Sequence, residues 1–131
     1  MGAVSASAPA IRRYGVEAHS TDVFGRVLCD CRDHHFVVDG PVHNGCPGEE
    51  VTPAELFLAG IATCGVELLQ VFAREEGLGL DTVHVEIGGE IEPGNPVRPD
   101  LMLFNRVRIA FEATGVTQDE AEHLVDRFKG R

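Results

Sequence analysis

Cys64 stands in the middle of an almost wholly apolar run, Thr52-Pro53-Ala54-Glu55-Leu56-Phe57-Leu58-Ala59-Gly60-Ile61-Ala62-Thr63-Cys64-Gly65-Val66-Glu67-Leu68-Leu69. A thiol in such a setting is either a small buried hydrophobe or a nucleophile whose reactivity the surroundings control. The glycines favour chemistry, because each costs about 1 kcal/mol against alanine inside a helix. Gly60 lies one turn before Cys64 on the same face, where it leaves space above the sulfur or lets a second helix approach. A thiolate is the nucleophile in thiol–disulfide exchange, and oxidation carries its sulfur through sulfenic acid to a disulfide. An ordinary thiol has a pKa of about 8.5 and is only a few per cent thiolate at neutral pH. Lowering such a pKa to about 6 takes about 3.4 kcal/mol of differential stabilisation. The helix dipole cannot supply that to Cys64, which is about three turns in, because the dipole effect fades within the first turn. Glu67 would oppose a negative sulfur. A cation must come from elsewhere, and Arg26 and Arg32 are the candidates. Arg26 is favoured because Phe24-Gly25-Arg26 reads as an irregular strand position that can aim a side chain inward.

A second grouping places Cys29, Cys31, His34, His35, His43 and Cys46 within 18 residues. Soft sulfur and nitrogen donors suit zinc, but Cys-x-Cys matches no standard zinc spacing. No metal or organic cofactor is expected.

The elements that must position these groups follow from periodicity. Residues 11–18, 23–29 and 34–39 read as three strands, the last ended by Gly40-Pro41. Residues 40–51 form a loop. A long helix opens at Thr52, with Pro53 at its first position and Glu55 completing a capping box, and runs to about Glu76 before Gly77. Apolar on nearly every face, it is expected to be central and enclosed. Residues 81–91 and 101–112 alternate at period two and read as strands. A second capping box, Thr117 to Glu120, opens a terminal helix. The order is β-β-β-α-β-β-α, an α+β fold.

The 131 residues suit one domain over 11–131, with Met1–Ala10 as a disordered leader. The formal net charge of −10 disfavours nucleic acid and anionic membranes. The run Leu56–Val66 is too short to span a bilayer and ends at Glu67. Four cysteines without a disulfide-framework spacing suit a reducing, cytoplasmic setting. Glu49, Glu50, Glu75 and Glu76 read as solvated surface. His34 and His35 read as strand residues, one inward and one outward.

The segment His34-His35-Phe36-Val37-Val38-Asp39-Gly40-Pro41, the glycine-rich loop after it, and the helix start Pro-x-Glu-Leu with a cysteine nine residues after the glutamate resemble the OsmC/Ohr family of osmotically inducible and organic hydroperoxide resistance proteins. The resemblance covers roughly residues 11–131. It implies an intertwined homodimer with two central helices enclosed by sheets of both chains, and a peroxidatic cysteine at the interface, the position of Cys64. It implies an antioxidant peroxidase of the oxidative stress response, reducing organic or lipid hydroperoxides at the expense of a thiol or dithiol. Arg26 or Arg32 would stabilise the thiolate, Glu55 would hold that arginine, and Phe57, Gly60, Ile61 and Leu68 would line the substrate pocket. The hydroperoxide-reducing branch carries an acid directly after the helix-opening proline, where this chain has Ala54. The family's second cysteine follows the last helix, so the resolving thiol is expected beyond Arg131 or among Cys29, Cys31 and Cys46. The alternative is a non-catalytic dimer of the same fold that binds a hydrophobic small molecule.

Overall fold

The computed structural model describes residues 8–131, so most of the expected leader lies outside the described residues. The chain forms two compact units, one ending at Pro53 and the other spanning Ala54–Arg131.

The first unit is a three-stranded antiparallel sheet in the order β1 (Glu17–Ser20), β2 (Arg26–Cys31), β3 (His34–Asp39). β3 has the expected bounds, while β1 and β2 begin later than the sequence suggests. The β2–β3 connection is the two-residue turn Arg32-Asp33, both with positive φ, +48° and +69°. That is the twist a type I′ hairpin needs, but it usually falls to Asn-Gly because a Cβ is strained there. Asp33→Gly will therefore raise stability by about 0.5–1 kcal/mol, read as a higher urea midpoint at unchanged slope.

Counting outward from this turn sets every cross-strand pair. Cys29 faces Phe36, and Arg26 faces Asp39. Cys29 and Val38 are buried on one face of the sheet. His34 and His35 point to opposite faces, as adjacent strand residues must, yet both are exposed. A short 3-10 turn, Val42–Asn44, follows β3. Beyond it the Cys46 side chain lies between Gly25 and Gly40, where a methyl group at either glycine would run into the sulfur. The two glycines are also joined directly, Gly40 N–H donating to the Gly25 carbonyl at 2.8 Å.

The second unit contains α1 (Pro53–Glu75), the antiparallel pair β4 (Val83–Glu90) and β5 (Arg106–Ala113), and α2 (Gln118–Lys129). α2 opens on the expected capping box: the Thr117 hydroxyl accepts from Glu120 N–H, and the Glu120 carboxylate accepts from Thr117 N–H. Residues 101–104 alternate like strand but stand outside the β4–β5 ladder, whose last register pair is Glu90 with Arg106 and whose end is closed by Asn105 N–H donating to the Glu90 carbonyl at 2.8 Å. Phe104 leaves the alternation to stack on Phe57, with ring centroids 5.7 Å apart.

The core of this unit is Leu69, Phe72 and Ala73 of α1 with Leu124 of α2. Burying each large side chain there contributes about 1.5–3 kcal/mol. Gly65 belongs to the same packing: a methyl group there would press on the Phe111 ring at 3.1 Å. Its reason is thus packing by β5 within the chain. Glu75 and Glu76 are not merely solvated. Glu76 binds Arg127 at 2.7 Å and His123 at 2.9 Å, and Glu75 binds Arg127 at 3.0 Å. The Arg127 guanidinium, and then His123, holds the Glu76 carboxyl below its ordinary range. Arg127 also lies 4.0 Å from the Phe72 ring centroid.

The expectation of an enclosed α1 needs correction for the single chain. Only Gly65, Leu69, Phe72 and Ala73 are buried, and Leu56, Phe57 and Cys64 are exposed. The physical reason is that one sheet and one helix can cover only one stripe of a helix that is apolar all round. By length and composition alone α1 would also suit a membrane span.

Candidate active site

Cys64 opens onto an apolar concavity of about 560 Å³, lined also by Leu56, Phe57, Gly60, Ile61, Phe128 and Arg131. The α1 residues in this set follow helical spacing. Leu56, Gly60 and Cys64 are four apart, so they stack along one face. Phe57 and Ile61 form the adjoining row. Nothing lies within 4 Å of a methyl group built on Gly60, so the space over the sulfur is open in this chain. Thr63 turns its hydroxyl back onto the helix, donating to the carbonyls of Ala59 at 2.8 Å and Gly60 at 3.1 Å. It therefore adds no polar group to the cavity wall.

Phe57 is positioned by a stack of three groups. Its ring lies on Phe104, and Phe104 in turn covers Gly89, where a methyl group would meet the ring at 2.6 Å. The missing side chain at Gly89 is what lets the 91–105 excursion support the pocket wall.

Leu68 does not line this concavity; it packs against the Leu69–Phe72 core. The other expected pocket residues, Phe57, Gly60 and Ile61, surround the opening beside Cys64. The sequence reading missed Arg131, the cation that shares the concavity with the thiol. Its guanidinium lies 5.2 Å from the Phe72 ring centroid. Nothing in the sequence said that Phe128 of α2 would lie beside Cys64. A larger concavity of about 700 Å³, between β5 and α2, holds no cysteine and is bordered by Glu112, Glu122 and Asp126. We place no chemistry there.

The two arginine candidates sit at opposite ends of β2. Arg26 opens the strand and Arg32 follows it in the hairpin turn, about 20 Å away at strand spacing, so they cannot serve the same sulfur. Arg26 is held as a fork: Nε donates to Asp39 Oδ1 at 2.8 Å, and Nη2 to Asp39 Oδ2 and Glu49 Oε1, both at 2.9 Å. The completely buried Asp39 also accepts from the backbone N–H of Glu49 and Glu50, at 3.0 and 2.9 Å. The Arg26 hydrogen bonds, with the two N–H groups behind them, hold the Asp39 carboxyl far below the usual range. The same contacts raise Arg26, which stays charged at any accessible pH. Glu49, expected to be free surface, is therefore part of this network, although its side chain remains 74% exposed. Glu55 lies in the first turn of α1.

Gly60 separates two effects that usually run together. Gly60→Ala will raise helix stability by up to about 1 kcal/mol, because no neighbour opposes the new methyl group. Gly60→Leu will fill the space over Cys64 and slow alkylation by a bulky maleimide more than alkylation by iodoacetamide. Equal slowing of both reagents would show that the opening is not the route to the sulfur.

A cysteine on a long apolar helix, backed by a two-stranded sheet and a second helix, defines a class of α+β proteins with a thiol beside an apolar cavity. Solved structures share the fold. An OsmC-like protein from Mycoplasma pneumoniae has a TM-score of 0.77 at 15% identity, over 92% of this chain and 82% of that one. An organic hydroperoxide resistance protein from Elizabethkingia anophelis, solved with crystallant-derived thiocyanate bound, has a TM-score of 0.74 at 18% identity, over 92% and 84%. The Legionella pneumophila organic hydroperoxide resistance protein OsmC, described as a predicted redox protein, has a TM-score of 0.68 at 24% identity, over 93% and 85%. None of the curated proteins is a significant match. The profile described as OsmC-like protein matches residues 46–131, from Cys46 through α1 to the end of the chain. The chain belongs to the OsmC-like protein family.

Proposed function

We propose that this protein is a thiol-dependent peroxidase that reduces organic hydroperoxides through Cys64. The observation that carries the reading is the exposed Cys64 thiol at the wall of an apolar concavity shared with one cation. The Cys64 thiolate attacks the outer oxygen of R–O–OH. The O–O bond breaks, sulfur becomes sulfenic acid, and RO⁻ leaves to take a proton and become the alcohol. A second thiol then condenses with the sulfenic acid, releasing water and forming a disulfide, and a dithiol reduces that disulfide. Leu56, Phe57, Ile61 and Phe128 would solvate an alkyl chain that hydrogen peroxide lacks. The cation we assign to the site is Arg131, which lines the same concavity as Cys64.

The uncovered apolar side of α1 supports a homodimer, in which a second copy would enclose the helix and complete the pocket. We place the single domain over residues 11–131 and the protein in the cytoplasm, where reductant is plentiful and its four free cysteines stay reduced.

The test is the intact mass of reduced protein after one equivalent of cumene hydroperoxide, beside Cys64→Ser. Gain of one oxygen, or loss of two hydrogens, only when Cys64 is present supports the reading. The same change in both proteins, or none, refutes it and leaves a dimer that binds a hydrophobic small molecule.

A further inference from the structure

The three-stranded sheet of the first unit gathers two imidazoles and two carboxylates on one face. Glu17 and His19 are two apart on β1 and point the same way. Register places Asp30 opposite Glu17 and His35 opposite Asp30, so one row crosses all three strands. His19 Nε2 lies 3.2 Å from Asp30 Oδ2 and 3.7 Å from Glu17 Oε2. The three donor atoms all lie within 4.8 Å of one another. Asp30 Oδ1 is taken by His35 Nδ1.

We propose that Glu17, His19 and Asp30 bind a divalent transition metal, zinc by preference, with His35 as the positioning residue that orients Asp30. Bonds of about 2.0–2.1 Å to a tetrahedral ion place neighbouring ligands about 3.3 Å apart, close to the two His19 separations. Only Glu17, 79% exposed, has to swing inward to complete the tripod. The fourth position is left to water.

Charge supplies an independent argument. Without a cation, Glu17 and Asp30 are like charges directly opposite each other on paired strands, an arrangement that destabilises a sheet. A bound dication converts that repulsion into attraction, and the net charge of −10 concentrates cations around the chain. The imidazole selects zinc over magnesium or calcium, which prefer oxygen alone. The ion would pin β1, an edge strand of four exposed residues, to β2.

This site differs from the cysteine-histidine grouping visible in the sequence. Cys29 and Cys31 project from the face of β2 opposite to Asp30, so the strand separates them from His19 and His35. The experiment must make the same distinction. The full reduced chain is titrated with zinc chloride, following binding by calorimetry and the histidine ring nitrogens by ¹⁵N NMR. The expected result is a saturable site at which His19 Nε2 shifts on binding and His34 does not. His19→Ala is expected to weaken binding at least ~100-fold, and His35→Ala about tenfold with recovery in His35→Gln, in line with first-ligand and outer-contact losses. Zinc that shifts His34, or affinity that survives His19→Ala, would assign the metal to the thiols and overturn the proposal. No saturable binding up to millimolar zinc would overturn it as well.

Discussion

Cys64→Ser will lower cumene hydroperoxide consumption, with excess dithiol, by at least about 10³-fold. Serine keeps the size of the side chain but offers a hydroxyl that is scarcely ionised at neutral pH and a far weaker nucleophile. Because Cys64 is exposed within its own chain and serine is close to it in size, the substitution removes no core contact of the chain, and stability will stay within about 0.5 kcal/mol of the parent. The loss of rate can then be read as lost chemistry. The parent should also favour cumene hydroperoxide over hydrogen peroxide by on the order of tenfold or more, since burying even a few methylene groups at about 0.8 kcal/mol each contributes that much. A Cys64→Ser protein that keeps most of its activity would transfer the role to another of the four thiols. Loss of selectivity in Phe57→Ala, with turnover of hydrogen peroxide maintained, would tie the preference to the cavity wall.

Asp39→Asn will cause the largest loss of stability in the first unit, a fall in melting midpoint on the order of 10 °C at neutral pH. Asparagine has nearly the same shape, but it replaces one of four accepted hydrogen bonds with a donor and leaves Arg26 without its buried counter-charge. The sign of the pH dependence follows from the carboxyl's lowered folded-state pKa. Its contribution is fully present above the unfolded value of about 3.9 and fades as pH falls through the lower folded value. Wild-type stability should therefore drop below about pH 4, and the Asp39→Asn curve should be flatter over that window. Parallel curves for the two proteins would mean that other carboxylates govern acid unfolding.

Much of this architecture was legible because local signals agreed with one another. β3 was bounded by Gly40-Pro41, α1 opened at Pro53, and Thr117 with Glu120 announced α2. Where the reading failed, the deciding contacts were distant in sequence. Leu101 and Leu103 alternate like strand residues, but the ladder ends at Glu90, where the Glu92 N–H beyond it is taken by the Asn105 side chain and Leu101 bridges Arg98 instead. Hydrophobic periodicity said that α1 had to be covered, not that its own chain covers one stripe and leaves Cys64 open. The candidate site was half visible: Cys64 and Gly60 by their spacing, Phe57 and Ile61 beside them. Arg131 was not, because its place depends on how α2 packs over Phe72. The Arg26–Asp39 pair was within reach. Once Arg32-Asp33 is recognised as a two-residue turn, strand arithmetic sets them face to face.

The seat of Cys46 between Gly25 and Gly40 makes one mechanical linkage of several residues that are far apart in sequence. Gly25 precedes Arg26, Gly40 follows Asp39, and the chain beyond Cys46 delivers the Glu49 and Glu50 N–H groups to that same carboxylate. Widening the seat by any substitution at either glycine must shift the ends of β2 and β3, and with them the fork that grips Arg26. Sequence changes at 25, 40, 46 and 49 are therefore not independent choices. Double-mutant cycles among them will depart from additivity by more than about 0.5 kcal/mol, and this corner of the protein can drift only as a set.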